Sequence, residues 1–336
     1  MNIKTPSFWY RPNGSPPPLL EKVLTPFSAL YAAGYKMHQK TKQARKAFLP
    51  VICIGNIVAG GTGKTPTALA LLNTLRKYGI AKNPFFLIRG YGGGEVGPLL
   101  VDPSIHTAWD TGDEALVLSR AASTIVSINR IEGADLALRK GADLVLMDDG
   151  LQNPGIHKDI KIVVVNGEMG FGNEKILPAG PLREPLQTGL AKADSFILIG
   201  QDHRDCIKNI PAGKPVFHAA IKAIQSKIPP KDKSYVAFAG LGYPDKFFSF
   251  LRNDVGLNIV KTVRFADHQP YNEENLKNLH QTALSLNAEL LTTEKDMMRL
   301  PEIPGITVHT LPVELAWEDE ELLAQFLKAK LVARET

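Results

Sequence analysis

The stretch VICIGNIVAGGTGKTPTALALL, residues 51–72, decides the fold. An apolar run ends at Gly55, a glycine-rich turn follows, and a helical pattern begins near Gly63. Successive backbone N–H groups in such a turn form a concave anion site, and the positive end of the helix adds to it. Lys64 is placed to reach the β- and γ-phosphates of a nucleotide, and the Thr65 hydroxyl to meet Mg²⁺. Gly60, Gly61, Thr62, Gly63, Lys64 and Thr65 are therefore the expected nucleotide-binding residues. The strict pattern GxxxxGK(S/T) fails at one position, where Val58 stands in place of the first glycine. The form GGTGKT occurs in a branch of P-loop proteins, many of which carry a lysine where this chain has Ala59.

Downstream, DLVLMDDG (143–150) reads as a buried strand ending in Asp148 and Asp149. A carboxylate there can hold Mg²⁺ beside Thr65, directly or through water. An acidic turn after a strand is common by itself, and the upstream loop makes the metal reading the better one. The guanine signature NKxD has no match. Residues 191–194, AKAD, lack the asparagine and precede their strand, so ATP is expected over GTP.

Short β-rich runs at 50–54, 85–88, 124–128, 144–147, 160–165 and 196–199 alternate with helical patterns such as 65–78 and 113–122. Apolar strands alternating with helices predict a parallel sheet covered on both faces. A second α/β series follows a polar, proline-containing stretch, with strands at 235–239, 259–263, 289–292 and 306–310. The expected fold is α/β: a P-loop NTPase-like, mostly parallel sheet, a second, smaller α/β domain, and an N-terminal amphipathic helix. The expected divisions are a helical segment at 1–48, a P-loop core at 49–215 and a smaller domain at 216–336. Ligands of such chains bind in the cleft between the domains.

The 336 residues suit two domains, and 44% apolar with 22% charged content excludes a mainly disordered chain. The charge, 39 − 34 = +5, allows an anionic partner without choosing one. A nucleic-acid reading has only this charge in its favour and no aromatic-rich basic face, so no nucleic acid is expected. Two cysteines, Cys53 and Cys206, form no disulfide framework and suit a reducing compartment. No apolar stretch is long enough to span a bilayer, and the first residues do not read as a secretory signal.

Pro16, Pro17 and Pro18 predict a stiff extended start. Thr25-Pro26 reads as an N-cap and first helical residue, opening a helix over 26–46. Phe27, Leu30, Tyr31 and Gly34 recur at helical spacing, and Lys36, Lys40, Lys42, Arg45 and Lys46 follow. The pattern suits a helix on an anionic membrane, or an ordinary helix packed on the core with a basic end.

Several segments in order carry a resemblance: GNIVAGGTGKTP (55–66), RGYGG (89–93), GDEALVL (112–118), DDGLQN (148–153), LPAGPLREPL (177–186), FAGLGYPDKFF (238–248), FADHQPY (265–271) and TTEKD (292–296). With these the chain resembles the tetraacyldisaccharide 4′-kinase family, the lipid A 4′-kinases of Gram-negative bacteria. The resemblance implies transfer of the ATP γ-phosphate to the 4′-hydroxyl of a tetraacylated glucosamine disaccharide 1-phosphate. It implies work at the cytoplasmic face of the inner membrane and favours the membrane reading of the N-terminal helix. Asp113 matches the family's proposed base, and His268 the residue proposed to assist it, from the second domain. An N-cap is the structural alternative for Asp113, and a loop histidine for His268. Arg183 is a candidate to neutralise phosphate charge, and Glu184 to orient Mg²⁺ or a hydroxyl; a surface ion pair is the alternative for both. Arg89 and Tyr91 are candidate substrate contacts. Two segments depart from the family pattern: DDGFQH reads DDGLQN here, with Leu151 and Asn153, and the doubled histidine reads His268-Gln269. The competing function is a P-loop ATPase or GTPase switch of the same branch, of the partitioning or metal-insertion type.

Overall fold

A computed structural model describes residues 6–11, 15–40, 43–267 and 269–335. The strands are β1 (Val51–Gly55), β2 (Pro84–Ile88), β3 (Leu99–Leu100), β4 (Thr124–Val126), β5 (Leu144–Asp148), β6 (Ile160–Asn166), β7 (Ser195–Ile199), β8 (Val216–Ala223), β9 (Ser234–Ala239), β10 (Asn258–Arg264), β11 (Glu289–Thr292), β12 (Val308–Thr310) and β13 (Val313–Trp317). The helices are α1 (Leu19–Lys40), α2 (Lys64–Lys77), α3 (Ala108–Thr111), α4 (Asp113–Ser119), α5 (Arg130–Arg139), α6 (Leu186–Lys192), α7 (Pro244–Ser249), α8 (Glu273–Ser285), α9 (Glu294–Met297) and α10 (Glu320–Glu335).

Nine strands form one sheet in the order β13-β8-β7-β6-β1-β5-β2-β4-β3. All neighbours are parallel except the two edge pairs, β13 on β8 and β3 on β4. β1, β2, β5 and β7 are buried at every residue, as strands covered on both faces must be. β1 lies between β5 and β6, and the chain leaves it in one direction and returns on the other side. Ligand sites of such sheets lie at the carboxyl ends of the strands where the order reverses. Here that point is the end of β1 beside the end of β5, with Ile54 paired to Asp148.

Four parallel strands, β10-β9-β11-β12, form the second sheet. Phe247, Phe248 and Leu251 pack on one face of it, and Leu276, Leu279 and Ala283 on the other.

The division expected at residue 215/216 lies elsewhere. β8 and β13 both belong to the large sheet, so the small domain is an excursion between them. Ile224 N–H donates to Pro312 C=O at 3.1 Å, tying the outgoing chain to the returning one. α10 then packs back, burying Leu323 and Leu327 in the large core. β8 escapes a search for apolar runs because its burial alternates, as in a half-covered strand near an edge.

The N-terminal helix also differs from expectation. It opens at Leu19, directly after the proline run, with Glu21 N–H donating to Pro18 C=O at 3.1 Å. Pro26 therefore lies inside α1, on its exposed side, and is not the first helical residue. Thr25 is no cap, and its hydroxyl donates to Glu21 C=O at 2.8 Å. Lys42 lies outside the described residues, and Arg45 leaves the helix to bridge Ile156.

Candidate active site

The phosphate loop grows from β1. A Cβ at Gly55 would come within 2.5 Å of Leu151 Cβ, so glycine alone lets the strand end approach the loop after β5. Val58 explains the missing first glycine: it is buried and bridges Leu182, which fixes the loop from outside. Ala59 N–H donates to Pro181 C=O at 2.7 Å, and Asn56 Nδ2 donates to Thr62 Oγ1 at 2.9 Å. Gly60 has φ 112°, and Gly63, at 92°, turns the chain into α2. Those left-handed angles suit glycine and leave the first-turn N–H groups of α2 pointing at the concavity. The second domain roofs the loop: a Cβ on Gly242 would lie 3.9 Å from Gly61 N.

Asp148 and Asp149 close the floor and behave differently. Asp148 is buried at the end of β5, and Thr65 Oγ1 donates to its Oδ2 at 3.2 Å. Its Oδ1 is buried and has no hydrogen-bond partner. Burial first, then the neighbouring Glu114 carboxylate, push its pKa well above the ordinary carboxylate range. A buried acceptor lacking a donor, beside a hydroxyl at a phosphate loop, fits a divalent cation. Asp149 (φ 51°) turns its carboxylate the other way. Arg183 donates to it from both terminal nitrogens, at 2.9 and 3.3 Å, and Lys64 Nζ stands 3.8 Å away. Burial works to raise its pKa, but Lys64 and then Arg183 outweigh that and hold it down at about 2. Asp149 thus pairs with the two cations beside the loop, whereas Asp148 keeps one oxygen unpartnered.

Arg183 and Glu184 separate in the same way. Arg183 faces Asp149 and Gln152, in the loop after β5. Glu184 is fully buried, accepts from Lys192 Nζ at 2.5 Å and from Gln152 Nε2 at 3.2 Å, and so carries a structural ion pair. Lys192 in turn donates to Tyr35 Oη of α1 at 2.9 Å. Arg89 lies close enough to Arg130 to depress its pKa, second to burial, to about 10. Arg130 is buried with an unpartnered Nε. No motif marks it in the sequence, so its nearness to the phosphate floor was not visible there.

Asp113 is not the N-cap of α4. Gly112 holds that place, and Asp113 is the first helical residue, with Oδ1 accepting Glu114 N–H at 2.9 Å. It lines a cleft of about 290 Å³ with Tyr91 and Trp109 of the first domain and Tyr271 and Arg299 of the second. Tyr91 is exposed at its rim. His268 lies outside the described residues. The TTEKD segment sits behind the second-domain wall of this cleft, where Asp296 bonds Tyr271 and pairs with Arg299. Thr293 caps α9 by accepting from Asp296 N–H. Asp296 is wholly buried and accepts from Gly240 N–H at 3.0 Å and Tyr271 Oη at 2.9 Å. Lys295 and Arg299 then meet Glu114 and Asp113 across the domain boundary.

A glycine-rich loop between β1 and α2, a buried carboxylate beside the Thr65 hydroxyl and a second α/β domain packed over the loop are the features of a P-loop kinase of two α/β domains. The family profile for tetraacyldisaccharide-1-P 4′-kinase matches residues 20–332. Tetraacyldisaccharide 4′-kinase of Rhodospirillum centenum is 41% identical over 335 residues, covering 99% of this chain and 98% of that protein. The enzyme of the same name from Gluconacetobacter diazotrophicus is 42% identical over 330 residues, covering 97% and 98%. A crystal structure of LpxK from Aquifex aeolicus in complex with ATP superposes with a TM-score of 0.73 at 26% identity, covering 93% of this chain and 99% of that one. The chain belongs to the tetraacyldisaccharide 4′-kinase family.

Proposed function

We propose that this chain transfers the γ-phosphate of ATP to the 4′-hydroxyl of a tetraacylated glucosamine disaccharide 1-phosphate, giving lipid IVA, at the cytoplasmic face of the inner membrane. The observation that carries the nucleotide half is the Thr65–Asp148 pair, with one carboxylate oxygen on the hydroxyl and the other unpartnered. Family membership over nearly the whole chain supports the acceptor.

Backbone N–H groups of residues 60–65 and Lys64 bind the phosphates. Thr65 and Asp148 would hold Mg²⁺, which supplies charge neutralisation on the phosphates. Asp149 keeps Lys64 and Arg183 directed at the transferring group. Asp113 accepts the proton of the attacking sugar hydroxyl, with Tyr91 at the mouth of its cleft and Arg89 nearer the phosphate floor. Phosphoryl transfer asks for this kind of positioning and charge neutralisation and needs no covalent intermediate.

α1 supports the membrane half. Its inward stripe is Glu21, Leu24, Ser28, Ala32, Tyr35 and Gln39, largely polar, while Leu19, Leu20, Val23, Phe27 and Leu30 face outward. That inverts the order of a water-facing helix and suits a lipid surface. No helix among the described residues is long and apolar enough to cross a membrane.

The test is incubation of labelled ATP with the disaccharide lipid in mixed micelles. Labelled lipid is expected, and Lys64→Ala should lower turnover by ~10²-fold or more while the chain still folds cooperatively. Hydrolysis of ATP with no label in lipid would overturn the reading in favour of a nucleotide switch.

A further inference from the structure

Asp113 and Glu114 open α4, and each carboxylate meets a cation from the second domain. Arg299 Nε lies 3.3 Å from Asp113 Oδ2, and Lys295 Nζ donates to Glu114 Oε1 at 3.1 Å. Two cations four residues apart thus face two adjacent acids. The Asp113 pair is almost closed to water, with side chains 2% and 7% exposed. Burying both ends of an ion pair costs about as much as their attraction returns, so net stability is a poor explanation for it. Its place at the candidate base offers a better one.

We propose that Arg299 is a positioning residue for phosphoryl transfer, holding the Asp113 carboxylate ionised and correctly turned from the second domain. The proposal rests on the reading of Asp113 as base. One carboxylate oxygen accepts Glu114 N–H and the other faces the guanidinium, so rotation would forfeit one contact. Arg299 is itself fixed within its own domain. It donates to Gln269 C=O at 2.9 Å and Gly240 C=O at 3.2 Å, pairs with Asp296, and lies 5.5 Å from the centre of the Tyr271 ring. The orientation of Asp113 is therefore imposed from across the boundary, and the base is fully set only when the domains are docked.

The charged and titratable groups around Asp113 are Glu114 on its own helix, Lys295, Asp296 and Arg299 on and after α9, Asp267 after β10, and Tyr91 and Tyr271 on the cleft walls. Lys295 pairs with Glu114 and its charge also reaches Asp113, so Arg299, in an ion pair with Asp113, is one of two second-domain cations acting on the candidate base. A nearby cation favours the ionised carboxylate, so its removal raises the pH needed to deprotonate the base.

The experiment measures kcat against pH for the full chain with Mg-ATP and the disaccharide lipid. Arg299→Gln should lower kcat about tenfold or more, leave KM for ATP nearly unchanged, and move the acidic limb up by about one pH unit or more. Arg299→Lys should return the limb toward its original position. In an Asp113→Asn background, Arg299→Gln should cost little further, because the group it serves is gone. An unmoved limb, or the same loss in the Asp113→Asn background, would overturn the proposal and assign Arg299 to domain packing. Should Arg299→Gln fail to fold, Arg299→Lys decides: charge stays and the fork is lost, so kcat should fall with the limb in place, and an unchanged kcat overturns the proposal. A native chain that labels no lipid would instead remove the functional reading beneath it.

Discussion

Asp148 and Asp149 are neighbours in the chain and opposites in charge behaviour. Asp149 gains Lys64 and Arg183 on folding, and its pKa drops from the usual 3.8 to about 2. Its pairing therefore stabilises the fold fully above pH 3.8 and is lost as pH falls toward 2. Since the side chain is one-third exposed, screening reduces that contribution to about 1 kcal/mol. Asp148 runs the other way. Burial raises its pKa, so an ionised Asp148 costs stability at neutral pH, and the cost is relieved on acidification. Asp148→Asn should accordingly abolish turnover yet raise the stability of the nucleotide-free chain by ~1 kcal/mol, read by thermal melting with and without Mg-ATP. A fall in the melting temperature would show that the carboxylate is a structural group. The motif makes it legible in the sequence that Lys64 and Thr65 meet the acidic end of β5, because strand, turn and helix follow one another there. It could not separate Asp148 from Asp149, which depends on a left-handed turn at Asp149. Nor could it show that Glu184, expected at the metal or a hydroxyl, is consumed by Lys192 from the next helix.

At the scale of elements, α1 and the strands were readable for different reasons. β1, β2, β5 and β7 are apolar throughout, so their burial follows from composition alone. α1 showed an apolar stripe, but a stripe has no label saying whether core or lipid covers it. The opposite face is the one held by the protein: Ser28 Oγ donates to Ile176 C=O at 2.7 Å and accepts Ala179 N–H at 3.2 Å, and Gln39 Nε2 donates to Gln152 C=O at 2.7 Å. Polar groups hold the helix to the protein, and Phe27 and Leu30 are left over, 54% and 71% exposed. Fully burying such a side chain is worth roughly 1.5–3 kcal/mol, and Lys22, Lys36 and Lys40 add attraction to anionic headgroups of about 1 kcal/mol each. Phe27→Asp with Leu30→Asp should therefore reduce binding to anionic vesicles at least ~10-fold in flotation, while the melting temperature stays put. Loss of stability without loss of binding would mean that this face packs on protein.

At the scale of the whole molecule, the order of the chain differs from the order of the domains. The sequence read as two α/β series in succession, because strands and helices announce themselves locally while the sheet they join does not. β8 and β13 are antiparallel partners whose paired residues lie some ninety positions apart, such as Ala220 with Ala316, and no local pattern reports such a pairing. The nucleotide domain is therefore finished by its last residues: β13 zips onto β8, and α10 lays Leu323 and Leu327, both fully buried, against the core that holds α2. Trp317 Nε1 and Glu320 both bond the Thr74 hydroxyl on α2, at 3.0 and 2.8 Å, so the helix that opens at the phosphate loop is braced from the C-terminus. Two consequences can be measured. A chain ending at residue 215 lacks β8, β13 and α10, uncovers the part of α2 that meets β13 and α10, and should yield no cooperative unfolding transition. In the full chain, Leu327→Ala should cost about 2–5 kcal/mol by creating a cavity under α10, and added Mg-ATP should restore part of it, because nucleotide binds the domain that the cavity weakens. A chain ending at 215 that melts cooperatively and binds ATP would show instead that the first series is self-sufficient and that the C-terminal strand and helix only decorate it.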